Sequence, residues 1–434
     1  MTVLEHIPSI RLKNGLEIKL KEIHTAPLIS SWVWYRVGSR DEIPGKTGIS
    51  HWVEHMQFKG TEQFPAEKRE KAIARAGGTW NAFTYLDWTT YFETMPADKI
   101  DQALEIEADR MVNSVYDPEE LESERTVVMS ERQGRENSPD FWLTEAVHQA
   151  AFPIHSYGHM ILGDMVDLAA MQRDDLYQHY RTYYAPSNAV ISIAGDFNQD
   201  DLLERLKELY EELPAGEEPP RVDRPQPPQK GEHRLVVEGP GATVWGDVSY
   251  HAPAASHEDF FPFLILDSLL SGPEGLNMFG GGGISNKTSR LYSRMVEEED
   301  LAVSVSGSLP ATLDPYLYSL DLIIQPSSTP EAALKALDEE VMRLQETPPP
   351  LEELQRATKQ ARALFAYGSE SITNQAFWMG FSEMFASYDW VTGYLEKLEA
   401  VTPEDVQRIA QTYLRPQNRI VGIYQPHNKG NQPS

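Results

Sequence analysis

The stretch PAGEEPPRVDRPQPPQKGEH, residues 214–233, carries six prolines among charged residues and shows no apolar periodicity. Proline holds its own φ near one value and withholds a hydrogen-bond donor, so such a run stays extended. It reads as a linker, with an N-terminal domain of residues 1–213 before it and a C-terminal domain of residues 234–434 after it. A chain of 434 residues is comfortable for two domains, at about 200 residues each.

The two flanking segments begin and end alike. In the first, Ile10–Leu12, Leu16–Leu20 and Leu28–Val37 read as strands, followed by a helix from near Thr47. In the second, Arg234–Val237 and Thr243–His251 read as strands, followed by a helix Glu258–Leu270. Longer helical patterns follow: Pro96–Val115, Pro118–Glu136 and Asp167–Tyr184 in one half, Pro330–Glu346 and Leu351–Phe365 in the other. Each half closes on an amphipathic helix and a short strand, Asp174–Tyr184 with Ala189–Ala194, then Pro403–Leu414 with Arg419–Tyr424. The expected fold class is α+β: two homologous mixed domains, each a sheet with helices packed on one face.

The net charge of −28 opposes nucleic-acid binding. The excess carboxylates keep the chain soluble, or line a cavity that attracts basic peptides. No apolar run is long enough to span a bilayer, so no membrane partner is expected. The chain has no cysteine, which excludes disulfides and thiolate ligands and makes a cytoplasmic location the expectation. Any metal must then be held by His and carboxylates.

Such a set is present in GISHWVEHMQFKG, residues 48–60. His51 and His55 are four apart, so on a helix both imidazoles can point at one ion. Glu54 lies at the edge of the same face, within reach of a water on that ion without being a ligand. The pattern H-x-x-E-H reverses the commoner H-E-x-x-H with the same geometry. Catalytic zinc takes three protein ligands and a water, and a nearby carboxylate removes the water's proton. The third ligand must come from elsewhere. Asp117-Pro118-Glu119-Glu120 is a strong helix start, and the helix after it carries Glu124 and Glu131 seven apart, on one face. Val127 and Val128 give that helix an apolar side. Either the two glutamates face water, or burial obliges them to be paired or metal-bound.

With these residues in view, the sequence resembles the pitrilysin or insulinase family of inverted-motif zinc peptidases, in particular its two-domain processing-peptidase branch. GISHWVEHMQFKGT resembles the family's metal-binding helix, GGTWNAFTYLDWTTYFETMP the strand pair after it, and ERTVVMSER the third-ligand helix. AFPIHSYGHMILGD and YYAPSNAVISIAGDF resemble later landmarks of the first domain. The resemblance implies one Zn2+ per chain on His51, His55 and Glu131, with Glu54 as catalytic base and Glu124 supporting the site. It also places the peptide substrate along an edge strand at Asn81, Ala82 and Phe83, as an added strand. His148, His155 and His159 sit in or beside a Pro/Gly loop without ligand spacing and read as structural.

One departure bears on the partners. Family enzymes close the site with an Arg and a Tyr seven residues apart in the C-terminal domain. In the matching stretch, TSRLYSRMVEEEDLAVSVSG, those positions hold Val296 and Val303. Neither can donate to a carbonyl oxyanion, often among the largest catalytic terms. The resemblance therefore implies a metal-bearing subunit paired with a homologous subunit that carries the Arg/Tyr pair. Two alternatives stand beside it: a self-sufficient homodimer using Arg290, Tyr292 or Arg294, and a non-catalytic structural subunit. Gly280–Gly283 reads as a flexible loop, and no Lys-Ser/Thr follows it to make a phosphate site. It resembles the glycine-rich loop that some members place near the substrate entrance.

Overall fold

A computed structural model describes residues 5–427 apart from 223, 274 and 276–284, so the glycine run Gly280–Gly283 lies outside the described residues. Two compact units emerge, and neither is one continuous stretch. The first takes residues up to Gln133, His159–Arg224 and Ser369–Thr392; the second takes Gly134–Gly158, Pro225–Gly368 and Gly393 onward.

The first unit is built on β1 (Ile10–Arg11), β2 (Glu17–Glu22), β3 (Leu28–Tyr35), β4 (Thr79–Thr84), β5 (Thr89–Pro96) and β6 (Ala189–Gly195). They form one sheet in the order β1-β2-β6-β3-β5-β4, with β2 and β6 parallel and the other neighbours antiparallel. β3 reads LISSWVWY and alternates faces as a strand must. Ile29, Val33 and Tyr35 join a core cluster with Trp52, Leu104 and Tyr180. Trp32 and Trp34 point the other way, and Phe377 meets each ring edge-on at 5.4 Å. Phe377 belongs to the helix Ile372–Phe381, which sequence periodicity did not reveal. Gly380 allows its close approach, since a Cβ there would lie 2.0 Å from Trp34 Nε1. The expected α+β fold is present, with an addition: this sheet is covered on both faces.

The second unit repeats the plan with β7 (His233–Gly239), β8 (Trp245–Ala252), β9 (Ala302–Ser308), β10 (Tyr316–Ile324) and β11 (Arg419–Pro426) in the order β7-β11-β8-β10-β9. β7 and β11 are parallel, as β2 and β6 are. The helix Pro139–Ala151 packs on β11, β8 and β7. The segment read as one helix over 167–184 is broken into Met165–Ala170 and Arg173–Tyr183, because Gln172 and Asp175 form a capping box that starts the second piece. Residues 214–222 run without helix or strand along the first unit. Among the described residues no helix is long and apolar enough to cross a membrane.

Candidate metal centre

The centre is built from two helices of the first unit, α1 (Ile49–Met56) and α2 (Pro118–Glu136). Trp52, Val53 and Met56 of α1 are fully buried, and each large apolar side chain removed from water contributes roughly 1.5–3 kcal/mol. They press α1 into the core and leave His51, Glu54 and His55 on the remaining face. The start of α1 is held by Gly48, whose φ is +83° and where a Cβ would lie 2.7 Å from Leu162 O. Glu42 supplies the cap that the helix lacks from its own first residue: its carboxylate accepts from Gly48 N at 2.7 Å and Ser50 N at 2.9 Å. His159 donates Nε2–H to the same carboxylate at 2.8 Å.

Helix α2 starts as read from the sequence, with Asp117 Oδ1 accepting from Glu119 N at 2.8 Å and Glu120 N at 3.2 Å. Its buried stripe is Leu121, Glu124, Val128 and Arg132. Val127 is 40% exposed, so only Val128 of that pair gives the helix an apolar side. Arg125 ties α2 to α1, its guanidinium 4.7 Å from the Trp52 ring centroid and hydrogen-bonded to Leu168 O and Met171 O.

These supports bring the three expected ligands together. One ligand atom each from His51, His55 and Glu131 lies within 4.8 Å of the others. Glu131 Oε2 is 3.6 Å from His51 Nε2 and 3.4 Å from His55 Nε2. Tetrahedral zinc with arms of about 2.0–2.1 Å spaces its ligand atoms by about 3.4 Å. Two neutral imidazoles and a carboxylate also suit that ion chemically, so the residues fit it. The His51 imidazole is pushed down to about 3, by burial first and then by His55, which keeps it neutral and able to ligate. Glu131 has its side chain 44% exposed and Glu124 10%, so the two do not share one buried setting.

Glu124 sits one shell out. The His55 Nδ1–H donates to Glu124 Oε2 at 2.9 Å, which orients Nε2 toward Glu131. Lys59 Nζ binds the other oxygen of Glu124 at 2.5 Å. Burial disfavours the charged form of each, but their neighbours outweigh it: the bond to Glu124 and the carboxylates of Glu131 and Glu54 raise the pKa of His55, and the bonds from His55 and Lys59 lower that of Glu124. Glu54 is buried, which raises its pKa, while a hydrogen bond from Thr84 Oγ1 to its Oε2 at 2.6 Å works the other way.

Thr84 closes β4, the edge strand of the sheet and the strand that carries Asn81, Ala82 and Phe83. Asn81 is exposed, Ala82 buried and Phe83 half-buried. The three loop histidines lie in separate hydrogen-bonded settings: His148 Nε2 with Tyr316 OH at 3.1 Å, His155 with Asp314 at 3.1 Å, and His159 with Glu42. The sequence reading missed Glu42, Lys59 and Thr84. Only Glu42 left a trace there, as a carboxylate shortly before a helix start.

Residues 18–165 match the family described as insulinase, peptidase family M16, and residues 170–361 match its C-terminal counterpart, described as the peptidase M16 inactive domain. The zinc protease PqqE of Helicobacter pylori is 30% identical over 94% of this chain and 90% of its own length. A probable mitochondrial-processing peptidase subunit beta of Arabidopsis thaliana is 32% identical, over 46% of this chain and 38% of its own length. A crystal structure of a protease from Helicobacter pylori is similar throughout, with TM-score 0.90, 27% identity, and coverage of 97% of this chain and 99% of that one. On this agreement of sequence and fold from end to end, the chain belongs to the insulinase family of peptidases, family M16.

Proposed function

We propose that the chain is the metal-bearing subunit of a zinc endopeptidase that cleaves short or unfolded peptides in a chamber closed by a homologous partner. The convergence of His51, His55 and Glu131 beside Glu54 carries this reading. A Zn2+ ion held there supplies Lewis acidity and lowers the pKa of a water to about 7. Glu54 takes the proton of the attacking water and returns it to the leaving nitrogen, with Thr84 holding the carboxylate in place. Asn81, Ala82 and Phe83 offer the outer edge of β4 to an extended substrate. Glu124 keeps the His55 tautomer. Its replacement by Gln weakens zinc by about 10–100-fold, read by competition with a chelating dye.

The partner follows from what the second unit lacks. Val296 and Val303 stand where the resemblance calls for oxyanion donors. The arginines nearby are already engaged: Arg290 donates Nε–H and Nη2–H to the two oxygens of Glu353, each at 2.7 Å, and Arg294 binds Glu299, Glu339 and Glu340. This weighs against the self-sufficient homodimer. The intact ligand set weighs against a purely structural subunit. That a relative is named as a subunit agrees with pairing. A cytoplasmic setting is part of the same proposal and rests on the cysteine-free composition. The test is cleavage of quenched peptides by the lone chain with and without chelator. Slow cleavage abolished by chelator is expected; strong chelator-insensitive cleavage contradicts the reading.

A further inference from the structure

The two sheets share one register: Tyr35 faces Ala189 as Tyr250 faces Arg419. The corner beside that pairing is also built twice. Asn188 donates Nδ2–H to Tyr183 O at 2.9 Å and Arg36 O at 3.3 Å. Asn418 donates to Tyr413 O at 2.9 Å and His251 O at 2.8 Å.

In the first unit the proline-rich segment lies across this corner. Ser187 N donates to Ala215 O at 3.1 Å, and Tyr183 OH to Pro220 O at 3.2 Å. Arg221 then donates to Arg36 O at 3.1 Å and to Asn188 Oδ1 at 3.2 Å. The same corner of the second unit is an open groove of about 510 Å³, lined among others by His251, Pro253, Pro315, Tyr413, Arg415 and Asn418. Walls of proline and aromatic rings suit an extended, proline-bearing strand, which brings little conformational entropy to lose.

The charges differ between the two corners. Arg415 stands where the first unit has Ala185, and it is exposed. His257, also on the groove, accepts the Asp259 N–H at Nδ1, which leaves Nε2 as its donor. The Asp259 carboxylate is already neutralised by Arg408 at 2.5 Å and bonded by Tyr413 OH at 2.8 Å. The groove therefore presents one exposed cation, Arg415, on a chain of net charge −28. We propose that it binds an extended, proline-bearing acidic segment of another polypeptide, laid across the corner where residues 215–221 lie in the first unit, with Arg415 in place of Ala185 as its charge contact and the Tyr413 hydroxyl kept on Asp259.

A fluorescent peptide of the sequence PAGEEPPRV, residues 214–222, is titrated into the full chain in chelator, with anisotropy as the readout. Saturable binding is expected. It should weaken at least about tenfold in Arg415→Glu and at least about tenfold when both glutamates of the peptide are lysine, as charge reversal at one contact implies. Absence of saturable binding up to millimolar peptide overturns the proposal, and so does equal affinity for Arg415→Glu.

Discussion

Glu54→Gln lowers peptide turnover by about 10²–10⁴-fold, the range that a positioned proton acceptor contributes, while zinc content stays that of the unaltered chain. The amide keeps the size of the carboxylate and can still accept from Thr84 Oγ1, which now lies 2.6 Å from Glu54 Oε2. It cannot take a proton. Because Glu54 does not contribute to the group of ligand atoms within 4.8 Å, the ion should be unaffected. Turnover is read with a quenched peptide and zinc by atomic absorption. Loss of both together would make Glu54 a ligand; retained turnover would remove it from proton transfer.

Mixing the chain with a family member that bears Arg and Tyr at the positions of Val296 and Val303 raises turnover by at least about 10²–10³-fold, since losing a single oxyanion donor costs that much. In this chain the neighbouring guanidiniums are spent on Glu353, Glu299, Glu339 and Glu340, and Val303 is a half-exposed residue of the edge strand β9. The gain should vanish when the partner's Arg and Tyr are replaced. Equal rates for the lone chain and the mixture would instead place sufficient donors within this chain.

Local chemistry was the most legible part of the sequence. The start of α2 followed from Asp117 and Pro118, and the pairing of His51 with His55 from their spacing on a helix. Long-range placement was not legible. Nothing local distinguishes Glu131 from Glu124, since both lie on one face, and the choice between them came from family resemblance; the structure separates them by burial and by the Lys59 and His55 bonds to Glu124. The contact of Thr84 with Glu54 depends on where a strand ends, which periodicity does not specify. The helices Pro139–Ala151 and Ile372–Phe381 escaped detection because their apolar residues lie on several sides, Ala376, Phe377, Trp378 and Met379 being consecutive and all buried. The first of them packs within the second unit and the other within the first, which contiguous domain limits could not express.

The proposed hydrolysis requires one ion held by α1 and α2 together. Zinc titration of the metal-free chain and of Glu131→Ala measures this directly. About one equivalent bound by the unaltered chain, with affinity lowered by several orders of magnitude in Glu131→Ala, is the expected result. Less than about half an equivalent at saturating zinc, or unchanged affinity in Glu131→Ala, would contradict it.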